Sequence, residues 1–306
     1  MTATPTFDLR AKRSWRTTKN TLMLGLMAGA VVLVAIPLFA VLWSVISRGA
    51  AVAFHGFPDF FTHEIPVVSR RPGPGMGPAI LGTLLSTGGA TLIAVPLGIL
   101  GAIYLHEYGG TGWFARLVRF MSTVMTGVPS VVMGLFVYLI WTMTPSLSLF
   151  DREPHLHGYS AFGGALALAC LMLPVVIGSC EQMLRLVPAQ LREAAYALGT
   201  TKSRTIVTVV LPAALPGLVS GSLLAVARAA GETAPLLFAV GAATAYNPHL
   251  FSEANTALSV QIFANANSSF AAAQDRAWAA ALTLVMLTFI VTLVARWFTA
   301  RLALKR

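Results

Sequence analysis

An all-α membrane protein that crosses the bilayer six times is the fold this sequence predicts, and three observations predict it. Only 10% of the 306 residues are charged, against roughly 25% in soluble domains, while 56% are hydrophobic and the mean hydropathy is +0.75. Apolar runs of about 20 residues, the length that spans a hydrocarbon core, recur six times. The bases between these runs are distributed unequally, as in a chain whose loops alternate between two sides of a membrane. The formal net charge of +10 therefore does not argue for nucleic-acid binding.

Residues 1–21 form a basic head with Arg10, Lys12, Arg13, Arg16 and Lys19. The uncharged run behind it lasts from Asn20 to Ser47, far beyond a signal-peptide core of roughly 7–15 residues. The first span is read as 22–46. Its Gly25 and Gly29 form a G-x-x-x-G that admits a close helical neighbour. Residues 47–79 form an extracytoplasmic loop, and the Pro-Gly run at Pro72–Pro78 breaks any helix there.

The main body of the chain, 80–296, follows. Its second span covers 80–104, with Thr83, Ser86 and Thr87 as polar content. A short segment with Arg116 and Arg119 reads as a surface helix before the third span, 121–143. Residues 144–160 are a loop with Asp151, Arg152 and Glu153, and the fourth span is 161–180. Cys170 and Cys180 sit ten residues apart on it, about 15 Å of helical rise, too far for a disulfide. The fifth span runs 213–240 and carries a second G-x-x-x-G, Gly217 to Gly221. Residues 241–276 read as an ordered loop, the sixth span is 277–295, and 297–306 is a basic tail.

Six spans put both termini on one side. The loops and tails of that side hold fifteen of the 21 Lys and Arg residues, and the opposite loops hold five. The positive-inside rule then places both termini, and the loop 181–212, in the cytoplasm.

That loop contains a charged island, Glu193 to Pro212. Leu191, Ala194, Ala195 and Leu198 fall at i, i+3, i+4 and i+7, on one helical face whose alanines let another surface come close. Gly199 supplies a helix end, since glycine takes the left-handed conformation without a Cβ penalty. Thr201 or Ser203 can cap a second helix that climbs into Leu211-Pro212.

One base, Arg228, lies inside a span, with Glu232 four residues on. The i, i+4 spacing lets them pair on one face. An ionisable residue at membrane depth costs at least ~2.5–3.5 kcal/mol on insertion scales, so the pair must face protein or water. Two readings are open, a cavity-lining arginine that meets an anion with the glutamate limiting how tightly it is held, and a structural salt bridge between helices. If the fifth helix starts before Leu211, Arg228 moves toward the outer surface, where an arginine costs little.

The spacing E-A-A-x-x-x-G, nine residues, then V-x-L-P resembles the cytoplasmic coupling loop of ABC-importer permeases, with Val209 where that family more often has isoleucine. The run A-R-A-A-G-E-T-A-P-L-L around Arg228 resembles the A-type subunit of the phosphate-specific branch. So do G-P-A-I-L-G-T-L-L at 77–85, I-Y-L-H-E-Y at 103–108, G-V-P-S-V-V-M-G-L-F at 127–136 and Leu258–Ile262, where Ser259 replaces a frequent proline. The likeness covers roughly residues 75–296.

The resemblance implies a type I ABC importer permease fold in a bacterial inner membrane. It implies one of two membrane subunits of an ATP-driven phosphate importer. Its partners would be a second permease subunit, a dimer of ATP-binding subunits and a phosphate-binding protein. Glu193, Ala194, Ala195, Gly199, Leu211 and Pro212 would meet the ATPase, and Arg228, Glu232 and Thr233 would line the substrate pathway. The chain would hold no cofactor of its own, ATP and Mg being bound by the partner ATPase. The sequence agrees with that division, because none of Lys12, Lys19, Lys202 and Lys305 follows a glycine as a P-loop requires. A permease for sulfate or molybdate is the rival within the class. An intramembrane hydrolase is the rival outside it, but the histidines lie in loops or at a span end and no G-x-S-x-G elbow is present. His155 and His157 are two apart, a poor metal pair on a helix.

Overall fold

The computed structural model describes residues 15–143, apart from 69, 71, 72 and 74, and residues 158–304. The expectations for Arg10, Lys12, Arg13, Arg71, Asp151, Arg152, Glu153, His155, His157, Lys305 and Arg306 lie outside them. The chain divides into two units, residues 1–47 and 48–306. Every regular element among the described residues is helical.

Helix α1 spans Trp15–His55, longer at both ends than the span read as 22–46, and carries Gly25 and Gly29. After the short α2, Asp59–Thr62, helix α3 runs Gly77–Ile103 with Pro78 in its first turn, where a missing N–H costs nothing. It ends in a π turn, Tyr104–Tyr108. The expected surface helix and the third span, read as 121–143, are instead one broken unit. Helix α4, Trp113–Gly127, and helix α5, Ser130–Val137, which continues into a π turn to Thr142, are bent by 107°. The cause is local. Pro129 disfavours α geometry at the residue before it, and Val128 is extended at φ −74, ψ 130.

Helix α6, Ala161–Arg185, is capped by Ser160, whose Oγ accepts the Gly163 N–H at 3.1 Å. Gly89 and Gly98 of α3 meet Ala165 and Val176 of α6 in that order, so these helices run parallel. Gly217 and Gly221 meet Met183 and Ser179 in reverse order, so the fifth-span helix runs antiparallel to α6. Small residues at these crossings are what a bilayer requires, where close packing drives association. Cys170 and Cys180 are free thiols on α6, the second buried.

The fifth span also departs from its expected bounds. Helix α8, Lys202–Thr205, runs through a π turn, Ile206–Val210, into α9, Leu211–Ala230, as one 29-residue segment. The widened turn precedes Pro212, which has no N–H to bond back. At its other end α9 stops at Ala230, ten residues before the expected Val240, and a separate α10 covers Ala234–Ala239. The 241–276 region contains α11, Leu258–Ala266, and the sixth helix α12 starts early, spanning Ala271–Leu304. Ala90, Ala94, Leu168, Met172, Val226, Leu236, Val240 and Val260 form the central core that holds the break between α9 and α10.

Candidate functional site

Two places carry charge in a chain with little of it. The first is the loop between α6 and α9. Helix α7 covers Ala189–Ala197, starting after Pro188. Gly199 has φ +80, its N–H bonds the Tyr196 carbonyl at 2.9 Å, and the Thr200 N–H bonds the Ala195 carbonyl at 3.2 Å. This is a complete Schellman ending, so the glycine serves as its spacing predicts. Gly199→Val is expected to cost ~1–2 kcal/mol from left-handed strain, read as a lower melting temperature of the purified chain.

Thr201 stands at the N-cap of α8, but its side chain makes no cap bond. Its carbonyl instead accepts from Thr205 N at 2.9 Å and Thr205 Oγ1 at 3.1 Å. The expected common face of α7 is also divided. Ala195 is buried, while Leu191, Ala194 and Leu198 are exposed, Leu198 by 86%. Glu193 is exposed as well, and Leu211 and Pro212 are half-buried at the start of α9. The loop therefore shows the outside a handle with apolar points.

The geometry under the handle was not anticipated. Arg192 Nη2 lies 2.9 Å, and its Nε 3.2 Å, from Glu107 Oε1 on the π turn after α3. Its other bonds go to the carbonyls of Val187 at 2.8 Å and Leu184 at 3.2 Å, the open end of α6, and to His106 Nε2 at 3.3 Å. Nearby, Glu181 of α6 accepts from Arg119 at 3.3 Å and Arg185 at 2.8 Å. The available signal was the scarcity of charge itself, since Glu107 and Glu181 are two of only 11 acidic residues.

The second place is the end of α9. Arg228 Nε lies 3.5 Å from Glu232 Oε1, so the expected pair is present, although Glu232 sits beyond the helix end and not within it. The Glu232 carbonyl accepts from Ser259 Oγ of α11 at 2.9 Å, and Thr233 leads into α10. The pair sits beside Leu171, Met172 and Val175. Met172 is near the middle of the 25 residues of α6, about 17 Å from one end and about 20 Å from the other at 1.5 Å per residue. The helical segment that carries Arg228 begins at Lys202, ahead of Leu211, and Arg228 lies near its far end. Arg228 is thus level with the middle of α6, and its side chain is 71% exposed on this chain's surface while Glu232 is only 23% exposed.

These features define a polytopic helical membrane protein with an exposed handle at one end and an outward-facing arginine level with the middle of α6. Residues 94–304 match the family model of the binding-protein-dependent transport system inner membrane component, and the chain belongs to that family. It is 42% identical over 282 residues to the phosphate transport system permease protein PstA 1 of Mycobacterium tuberculosis (strain CDC 1551 / Oshkosh), covering 92% of this chain and 88% of that one. It is 38% identical over 296 residues to the phosphate transport system permease protein PstA of Yersinia pestis, covering 95% and 94%. Among solved structures, a bacterial alginate ABC transporter in complex with an alginate-bound periplasmic protein matches with a TM-score of 0.62 at 16% identity, over 95% of this chain and 99% of that one. The inward-facing MetNI methionine ABC transporter matches with a TM-score of 0.55 at 16% identity, over 74% and 93%. The last two speak for the fold alone. The chain is a transport subunit of the inner membrane and not itself an enzyme.

Proposed function

We propose that this chain is one of two membrane subunits of an ATP-driven importer of inorganic phosphate, and that Arg228, Glu232 and Thr233 line its substrate pathway. The observation that carries the reading is Arg228 itself, 71% exposed and level with the middle of α6. A guanidinium against lipid tails at that depth is costly, so its exposed side must meet water or a partner subunit. A fork of N–H donors matches the oxygens of phosphate, and Glu232, within 3.5 Å, competes for the same donors and keeps the anion from being held permanently. The relatives named for phosphate transport favour phosphate over sulfate or molybdate.

The partners follow from the class. A second permease subunit completes the pathway, a binding protein outside delivers phosphate, and a dimer of ATP-binding subunits, holding ATP and Mg, grips the loop from Glu193 to Pro212. Ala194, Ala195, Gly199 and Leu211 shape that grip, and both termini lie on the same cytoplasmic side. The loop's short helices enter grooves on the ATPase, an apolar helix face laid in a cleft. ATP can bias the cavity between its two openings only by its unequal affinity for the two states.

The test is co-reconstitution of the four kinds of subunit in liposomes with ATP inside or outside. Labelled phosphate is expected to accumulate only when ATP is on the side of the Glu193 loop. Accumulation of sulfate or molybdate in its place would overturn the substrate, and accumulation driven from the other face would overturn the orientation.

A further inference from the structure

The coupling loop is fastened to the membrane helices mainly by polar contacts. Ala195 is the buried residue of α7 and Thr205 that of α8, so apolar packing holds these helices weakly. Both short helices nevertheless reach the same target. From α7, Arg192 grips the Glu107 carboxylate, whose side chain is 7% exposed and its partner's 16%. From α8, the Lys202 ammonium donates to the Glu107 carbonyl and lies 4.8 Å from the centre of the Tyr108 ring. Glu107 and Tyr108 belong to the π turn that ends α3, a helix separate in sequence from the α6 and α9 that flank the loop. A buried, doubly bonded charge pair holds its partners in fixed geometry, because separating it would strand a charge away from water.

We propose that Glu107 with Arg192, backed by Lys202, is a coupling linkage that makes the inner end of α3 move as one body with the coupling loop when the ATPase subunits close. Glu107 is a positioning residue, acting through Arg192 and touching neither nucleotide nor transported anion. The inference rests on the reading of the chain as an ATP-driven permease. It deepens that reading, since a push on the loop then reaches α3 as well as the two helices joined to it by chain. Arg192 is suited to the role because the same guanidinium holds the carbonyls of Leu184 and Val187, binding α6, α7 and the α3 end at one point.

The experiment uses the full complex in nanodiscs, with Cys170 and Cys180 replaced and spin labels at Leu100→Cys on α3 and Gln190→Cys on α7. The label–label distance is measured without nucleotide and with ATP plus vanadate. With the linkage intact it is expected to stay constant, and in Glu107→Ala/Lys202→Met it is expected to change on trapping. Phosphate moved per ATP should fall about tenfold in the double variant, within the ordinary range of coupling factors, while ATP hydrolysis persists. Arg192→Lys keeps the cation but not the fork. It is the milder variant should the first not assemble, with an intermediate distance change expected. A distance that changes in the intact protein, or stays constant in both variants, overturns the linkage. The distance measurement needs no transported anion, so failure of phosphate uptake would overturn the transport reading separately.

Discussion

Arg228→Gln is expected to leave the assembled complex and its ATPase in place while phosphate uptake falls by roughly ten- to a hundredfold. A hydrogen bond to a charged group contributes about 1.5–3 kcal/mol, and each 1.4 kcal/mol is about a tenfold change. Arg228→Lys should lie between, because an ammonium keeps the charge but cannot match two oxygens at once. Glu232→Gln should act in the opposite sense on retention, with phosphate held longer and turnover slowed, since the competing carboxylate 3.5 Å away is gone. Uptake assays on matched liposomes measure all three. Normal uptake by Arg228→Gln would remove the arginine from the pathway. Joint loss of complex and ATPase would instead assign it the structural salt-bridge role that the i, i+4 spacing also allows.

The second large effect concerns the frame that holds the site. A Cβ on Gly82 of α3 would stand 1.9 Å from the Thr256 carbonyl oxygen and 2.5 Å from Asn255 Oδ1. Neither can yield easily. Asn255 is 2% exposed and bonds the Asn247 carbonyl at 2.9 Å, while its Oδ1 accepts the Thr256 N–H at 2.9 Å. Next to this contact, Thr83 Oγ1 accepts the Leu258 N–H at 2.8 Å and fixes the start of α11, whose Ser259 holds the Glu232 carbonyl. Gly82→Ala is therefore expected to destabilise by ~1–3 kcal/mol, the usual cost of overpacking, and to lower the melting temperature and yield of the complex. Gly88→Ala is the control on the same helix, where a Cβ meets no described atom within 4 Å. It should be neutral, or stabilising by about 0.5–1 kcal/mol from helix propensity. Equal effects at the two positions would refute the packing argument.

Much of the handle was legible from the chain. Gly199 ends α7 as its place after Leu198 requires, because a Schellman ending is decided by the backbone freedom of one residue and bonds within five. The pair Arg228 and Glu232 was legible from their spacing alone. The end of α9 was not. Gly231 and Pro235 weaken a helix in A-R-A-A-G-E-T-A-P, but its separation into two helices is stabilised by Ser259 and by Leu236 and Val240 in the central core, residues supplied from later in the chain. The grip of Arg192 on Glu107 was equally hidden, since 85 residues separate the partners.

The sequence by itself determined a greasy helical chain, its apolar spans and the glycine-ended handle. Those features depend on local periodicity, backbone freedom and the hydrocarbon thickness, all of which act over a few turns. Only the tertiary structure decided that Arg228 stands level with the middle of α6 and that the handle is tied to α3. Depth and linkage are set by which helices lie side by side, and small residues such as Gly98, Gly217 and Gly221 permit that packing without naming the partner.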